Sequence, residues 1–285
     1  MEILSMRNFA KQLNDATFTD YYYRLKLLAK SVFKWENLPN NIDERWIENF
    51  LFHQGKCCFY NDEKRGLIVT ECNTDGNLNN YQDPVSVTPT GIDIEPRTLL
   101  VNKDCVLMRN NDEMMPTSQT LKLFAYRLAE ISRTIDVNVT AQKTPLLITT
   151  TERQKLTLKN IYVQWNGNEP VIYGDKNFDP DSMKVFKTDA PKVFTELQDH
   201  KLSVWNECLT FLGINNANTE KRERLISDEV EANNEHIDLS AECLLKARQK
   251  AAEQINALFK TDIKVSLRRE VEEVCMPDTQ KFSET

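Results

Sequence analysis

Two segments near the start of the chain carry apolar residues at helical spacing. The first predicts a helix over 19–34, which ends before Pro39 because proline disfavours helical geometry in the residue that precedes it. The second predicts a shorter helix over 43–53. The apolar residues of the two patterns are Tyr22, Leu25, Leu28, Val32, Trp46, Ile47 and Phe50.

Residues 56–115 have a different pattern. Short apolar or alternating runs, such as CCFY, GLIVTEC and CVLM, are separated by Asp, Asn, Gly and Pro. Runs of this length between turn-forming residues are typical of strands and hairpins. The region is therefore predicted to form a small antiparallel β unit.

Two long amphipathic helices are predicted further along the chain. The first, over 117–142, would be ~39 Å long at 1.5 Å per residue, well above the mean helix length of compact domains. The second begins at Asp189, a good N-cap, and ends at Gly213 in a left-handed cap. Their apolar stripes are Leu121, Phe124, Leu128, Ile131, Ile135 and Val139 in the first, and Val193, Leu197, Val204, Cys208 and Phe211 in the second.

The segments around these helices complete the prediction. Between them, 144–188 reads as a compact α/β insertion, with strands at 145–148, 171–173 and 184–187 and a helix around Leu158 to Trp165. After Gly213 a charged, Asn-rich stretch is predicted to be a mobile loop. A last helix runs from about Asp238 to Phe259, and a closing strand covers 263–267.

Composition limits the possible functions. The chain has 285 residues, only 7 glycines and a net charge of −7. A protein that grips nucleic acid over a wide surface usually carries a basic patch, since neutralised phosphates supply most of the affinity. Any nucleic-acid contact of this chain is therefore expected to be local or weak.

No catalytic or metal-binding constellation is evident in the sequence. The 7 cysteines are scattered without a CxxC pair and there are 3 histidines, so neither zinc nor any other cofactor is expected. No Walker-type phosphate loop is present. His200 has Glu196 and Asp199 nearby, and a surface or subunit-contact role is favoured over acid–base chemistry. No run reaches the ~18 apolar residues of a membrane span, and no signal peptide is predicted.

The loop predicted after Gly213 is the strongest functional candidate. Lys221, Arg222 and Arg224 cluster in it beside Glu220 and Glu223. One interpretation is a solvated connection between two helices. In the other, a ring of copies brings many weakly basic loops around one axis, where they act together on DNA.

Four long, non-repetitive sequence segments resemble one protein family. FKWENLP, TAQKTPLLI, VFKTDAP and the 205–237 stretch are similar to the portal protein of small short-tailed bacteriophages that prime DNA replication with a protein. This protein is also called the upper collar or head–tail connector. The resemblance implies a mainly α portal fold with α+β parts, in which long stem helices carry a small α/β clip and a mixed wing domain.

The resemblance also implies a division of the chain. The implied parts are an N-terminal wing region at 1–115, a stem helix at 116–143, the clip at 144–188, a second stem helix at 189–213, a channel loop at 214–237 and a C-terminal wing or crown region at 238–285. Lys187 matches a lysine that lines the family's DNA channel, and Lys221 with Arg222 matches a pair on its channel loop. Where the family has a further lysine in the second stem helix, this chain has Glu196.

By the same resemblance the protein is a non-enzymatic ring of twelve copies at one capsid vertex of the virion, assembled in the host cytoplasm. Double-stranded DNA would pass through it, and its partners would be the major capsid protein, a lower collar or tail protein and a packaging ATPase, with no membrane involved. Whether a packaging RNA is also a partner is left open, because the start of the chain is only weakly basic. The alternatives are a monomeric α+β enzyme or adaptor and, less favoured, an isolated nucleic-acid-binding protein.

Overall fold

A computed structural model describes residues 2–142, 146–148, 183–185, 193–215 and 227–268. The chain divides into two compact units. The first contains Met1–Glu130 and Lys201–Thr285, and the second contains Ile131–His200.

The first unit begins with two helices joined through a short strand. Helix α1 (Glu2–Ser31) starts well before the predicted residue 19, and helix α2 (Glu44–Gln54) agrees with the prediction. Asp43 caps α2, since its Oδ1 accepts a hydrogen bond from the Arg45 amide at 2.8 Å. Strand β1 (Phe33–Glu36) lies where the sequence predicted only the end of a helix.

The predicted antiparallel β unit is confirmed. Its strands are β2 (Lys56–Asp62), β3 (Gly66–Thr74), β4 (Ser86–Thr90), β5 (Leu99–Leu100) and β6 (Cys105–Arg109). They form one sheet in the order β5-β4-β3-β2-β6, with every neighbouring pair antiparallel. Short connections between sequential strands make this the expected topology, and only β6 crosses over to pair with β2.

The two ends of the first unit meet in a second, two-stranded sheet. Strand β9 (Lys264–Leu267) pairs antiparallel with β1, and Phe33 lies opposite Leu267 while Trp35 lies opposite Val265. A closing strand was predicted at 263–267 and is confirmed. Its partner was not predicted, because β1 also fits the pattern of a helix end.

Three long helices follow the sheet in sequence. Helix α3 (Thr117–Ala141) confirms the prediction over 117–142. Helix α4 (Phe194–Phe211) has the predicted end, while the expected N-cap at Asp189 lies outside the described residues. Helix α5 (Ser227–Phe259) begins earlier than the predicted Asp238.

The early start of α5 corrects the predicted mobile loop, because Ser227 to Ile237 are helical. These residues contain neither Gly nor Pro, so nothing in the local sequence breaks the helix. Ile237 is buried one turn before the buried Ala241, which ties this part of the helix to the core. The segment between α4 and α5 that remains outside the described residues is 216–226.

In the second unit, strand β7 (Leu146–Ile148) pairs antiparallel with strand β8 (Met183–Val185). Both strands overlap the predicted ones at 145–148 and 184–187. The helix predicted around Leu158 to Trp165 and the strand predicted at 171–173 lie outside the described residues.

The core of the first unit brings the N- and C-terminal parts of the chain together. Helix α5 packs on the sheet, where the Phe59 and Phe259 rings lie 5.4 Å apart. Buried apolar side chains of β1, α2, β2, β6, α5 and β9 form one cluster, which includes Phe33, Trp35, Ile47, Leu51, Met108 and Ile255. Burying such side chains is the main source of stability.

Candidate functional site

The three predicted site residues lie beside described elements but are not themselves described. Lys187 follows β8, and Lys221 and Arg222 fall in the segment between α4 and α5. The structure therefore shows the elements that lead to these positions. These elements are α4, the cap at its C-terminal end, and α5 with the contacts that hold it in the first unit.

Glu196, where the resemblance implies a lysine in other members of the family, lies in the first turn of α4 and is exposed. A carboxylate there interacts favourably with the unpaired N–H groups and the positive end of the helix dipole. Asp199 follows three residues later and is exposed on the same face of the helix. Glu196 and Asp199 are called the acidic stripe below.

Within the first unit, α4 packs against α3. The Phe124 and Phe211 rings are 6.3 Å apart, and Arg127 Nη1 lies 3.3 Å from Glu207 Oε2. Val204 and Cys208 are buried on the predicted apolar stripe. Burial raises the pKa of Cys208 to about 12, so its thiol stays protonated and is part of the core.

Gly213 determines where the chain leaves α4. Its φ of 70° lies in the left-handed region, and the next amide, Ile214 N, donates to Leu209 O at 2.9 Å. A Cβ at Gly213 would lie 2.5 Å from the Cβ of Ala241 on α5. Both the backbone conformation and the close approach of α5 therefore require glycine at this position.

A buried ion pair anchors α5. Arg248 donates to Glu48 of α2 through Nη2 to Oε2 at 2.8 Å and through Nε to Oε1 at 2.9 Å. Both side chains are 3% exposed. Bidentate pairing of this kind is among the stronger charge-assisted contacts, and breaking a buried pair is costly because it leaves one charge uncompensated.

The ion pair is the centre of a wider network. Trp35 Nε1 donates to Glu48 Oε1 at 2.9 Å, and the Arg248 guanidinium lies 4.0 Å from the centroid of the Phe33 ring. Arg248 also donates to the main-chain O and the Oδ1 of Asn110, each at 3.1 Å. Asn110 Nδ2 in turn donates to Thr117 Oγ1 at 2.9 Å. The start of α3 and the middle of α5 are thereby fixed to the same buried group.

The sequence analysis did not identify this network. The residues three and four positions after Glu48 and after Arg248 are buried and apolar, so each charge sits on an apolar helical face. These residues are Leu51, Phe52, Ala251 and Ala252. A charge in such a place indicates a buried partner. The sequence does not indicate which partner, since the two residues are 200 positions apart.

Four further cysteines of the described chain belong to the buried core, as Cys208 does. Cys57, Cys58, Cys72 and Cys105 are buried and reduced, and burial raises the pKa of Cys105 to about 12. His200 lies exposed on α4. Among the described residues no group of three or more His, Cys, Asp or Glu side chains is arranged to hold a metal ion. None of the described helices combines the length and hydropathy needed to cross a membrane.

Comparison with known proteins gives one consistent result. A family model described as Phage Connector (GP10) matches residues 4–272. The chain is similar to a structure of the portal and tail of native bacteriophage P68, at 14% identity, over 96% of this chain and 95% of that chain, with a TM-score of 0.53. This likeness concerns the fold.

Two further structures show weaker likeness. One is the virion of a native gene transfer agent particle, at 11% identity over 93% of this chain and 87% of that chain, with a TM-score of 0.49. The other is an HK97 family phage portal protein from Corynebacterium diphtheriae, at 11% identity over 90% of this chain and 94% of that chain, with a TM-score of 0.43.

Proposed function

Because this chain belongs to the phage connector family and is therefore a structural head–tail connector of the virion portal vertex, we propose that twelve copies form a ring around a channel for double-stranded DNA. The genome would enter the capsid through this channel and leave through it. A homo-oligomer with head-to-tail contacts closes into a ring when its rotation allows it.

The exposed acidic stripe of α4 supports a channel wall. Glu196 and Asp199 present carboxylates on one exposed face at the start of α4. A wall that repels phosphates keeps the duplex centred and prevents it from adhering. The net charge of −7 per copy gives the same tendency to the whole ring.

Apolar exposure on the long helices supports the ring itself. Leu123 of α3, Leu202 of α4 and Leu239 of α5 are exposed large apolar residues in the single chain. Large apolar side chains left in water on a stable helix are typical of protein contact surfaces. Contacts between copies would bury them.

Lys187, Lys221 and Arg222 are proposed to face the DNA. The last two fall between Asn215 and Ser227, in the segment that the cap at Gly213 and the anchored α5 hold at both ends. One such pair binds phosphate weakly. Twelve pairs around one axis act together through effective concentration, which allows them to hold DNA without trapping it.

The domain assignment follows the same proposal. Residues 1–115 form the wing, 144–188 the clip, 116–143 and 189–213 the stem helices, and 238–285 the wing or crown. The helical start at Ser227 adds 227–237 to the last helix and shortens the proposed channel loop from 214–237 to 214–226.

The finer partners are also proposals. The major capsid protein would surround the ring, a lower collar or tail protein would bind one end, and a packaging ATPase would dock on it. This ATPase would supply the work of moving the DNA. The rival interpretation, a monomeric enzyme or adaptor, has no support in the family match.

The channel role is tested by genome retention. Virions that carry Lys221→Ala with Arg222→Ala are expected to assemble and to lose packaged DNA by backward slippage. The matched control is Lys246→Ala with Lys250→Ala, which removes the same charge from exposed positions of α5. Full-length genomes in both variants would show that the 216–226 segment does not hold DNA.

A further inference from the structure

Helices α1 and α2 present two facing rows of polar and cationic side chains. Lys26 Nζ lies 5.9 Å from the centroid of the Phe52 ring, and that ring is 4.9 Å from the ring of His53. One turn further along α1, Lys30 Nζ donates to Asn49 Oδ1 at 3.1 Å. Later positions on α1 therefore lie beside earlier positions on α2, so the two rows run antiparallel.

The row on α2 is long enough to contact an extended ligand. Arg45, Asn49 and His53 are spaced by four residues on α2, so they lie on one face and cover ~12 Å along the helix. Lys122 of α3 adds a further cation on the His53 side. Arg45, Lys26, Lys30, His53 and Lys122 are called the basic surface below.

The basic surface has little opposite charge near it. Asp43 pairs loosely with Arg45 at 3.5 Å, and Glu48 is buried in its pair with Arg248. No carboxylate in the described part of the chain forms an ion pair with Lys26, Lys30 or Lys122.

The crowding of like charges lowers the pKa of two groups of the basic surface, His53 and Lys30. Burial and the charges of Lys26, Lys30 and Lys122 lower the pKa of His53. Burial, Lys26 and Arg45 lower the pKa of Lys30, against smaller opposite effects of Glu48 and Asp43. A bound anion would relieve this repulsion.

Aromatic side chains flank the cations. Tyr23 is 57% exposed and Trp46 is 51% exposed, and the Arg45 guanidinium lies 5.3 Å from the centroid of the Trp46 ring. Cations interleaved with exposed rings are the composition of surfaces that bind unpaired nucleic acid, where rings stack on bases and cations contact phosphates.

We propose that the basic surface binds the phosphodiester backbone of a nucleic acid strand, at a site made of different residues from the channel positions Lys187, Lys221 and Arg222. One strand of a duplex has a phosphate every ~3.4 Å along the axis and an extended single strand spaces them more widely, so the ~12 Å row meets about two to four phosphates. The exposed rings favour a single-stranded or looped ligand over a duplex, because bases in a duplex are already stacked. An acidic protein surface is the competing partner.

Binding of fluorescently labelled single-stranded RNA, single-stranded DNA and duplex DNA to the full-length protein tests the proposal. Fluorescence anisotropy compares the wild type with a variant carrying Lys26→Gln, Lys30→Gln and Lys122→Gln. We expect the variant to bind single strands at least about tenfold more weakly, with a salt slope smaller by about 2, since each lost phosphate contact removes ~0.7. Circular dichroism checks that both proteins are folded.

The matched control carries Lys103→Gln, Lys246→Gln and Lys260→Gln, which remove the same charge at exposed positions elsewhere. It should bind like the wild type. Equal loss in the two variants, or no loss in either, would overturn the proposal. The proposal would also be overturned if the variant at Lys26, Lys30 and Lys122 bound all three nucleic acids like the wild type but failed to join the capsid shell. That result would identify an acidic protein partner. Loss only with Lys221→Ala and Arg222→Ala would support the channel and refute the second site.

Discussion

Arg248 and Glu48 form a bidentate ion pair, with Nη2–Oε2 at 2.8 Å and Nε–Oε1 at 2.9 Å, between helices that are 200 residues apart in the chain. Glu48 also accepts a hydrogen bond from the Trp35 indole, and Arg248 donates one to Asn110. The pair therefore joins α2, β1, the end of β6 and α5. Helix α5, which follows residues 216–226, is held in the first unit by this group.

Breaking the pair is predicted to be strongly destabilising. Glu48→Gln leaves the Arg248 charge buried and uncompensated, which costs about 3–5 kcal/mol of unfolding free energy. Urea unfolding followed by tryptophan fluorescence measures it.

An exposed pair provides the control for that measurement. Arg24 and Asp20 approach to 2.7 Å but are 61% and 52% exposed, so Asp20→Asn should cost at most about 1 kcal/mol. The double variant Glu48→Leu with Arg248→Met should cost less than the sum of its single changes. Single changes that each cost as little as Asp20→Asn would mean that the buried pair does not anchor α5.

Gly213→Ala is predicted to destabilise the end of α4 for two reasons, the left-handed backbone and the contact with Ala241. Gly66 separates these effects, since it has a similar φ of 72° but nothing within 4 Å of the added Cβ. Gly66→Ala should cost about 1–2 kcal/mol from the backbone alone, and Gly213→Ala should cost clearly more. Equal losses in thermal or urea unfolding would show that α5 can move away from the cap.

Glu196→Lys tests the departure from the family pattern. A cation in the first turn of α4 opposes the helix dipole, so stability should fall by about 0.3–1 kcal/mol. Glu253→Lys makes the same charge change on an exposed position near the C-terminal end of α5, where no loss is expected. In virions, Glu196→Lys should slow DNA ejection, because each copy gains a cation on the acidic stripe. Ejection at the wild-type rate would place that stripe away from the DNA.

His53 is predicted to make stability depend on pH. Its pKa is lower in the folded chain than in the unfolded chain, so the unfolded chain binds more protons as pH falls. The contribution of His53 is thus present above about pH 6.5 and is lost progressively on acidification. The unfolding midpoint of the wild type should therefore fall more than that of His53→Gln between about pH 7 and pH 5. Parallel curves would mean that the neighbouring lysines do not act on this ring.

Local periodicity predicted the elements whose residues carry their own signals. The stripe of α3, the turns between β2 and β6 and the glycine at the end of α4 are all readable from neighbours within a few positions. The start of α5 was misread, because a charged Asn-rich stretch can be either a loop or a helix until Ile237 finds its buried contacts.

Contacts between distant positions could not be predicted in the same way. β1 and β9 pair residues at opposite ends of the chain, and Glu48 and Arg248 find each other across 200 positions. The basic surface has the same origin, since Lys26, His53 and Lys122 come from three helices. Such arrangements depend on packing, which a single sequence does not specify.

Native mass spectrometry of the purified full-length protein, with negative-stain imaging of the same sample, tests the central claim most directly. Twelve chains of 33.1 kDa predict a particle of about 400 kDa with a central hole. A 33.1 kDa monomer at micromolar concentration, with no ring in the images, would contradict the ring and the DNA channel proposed for it.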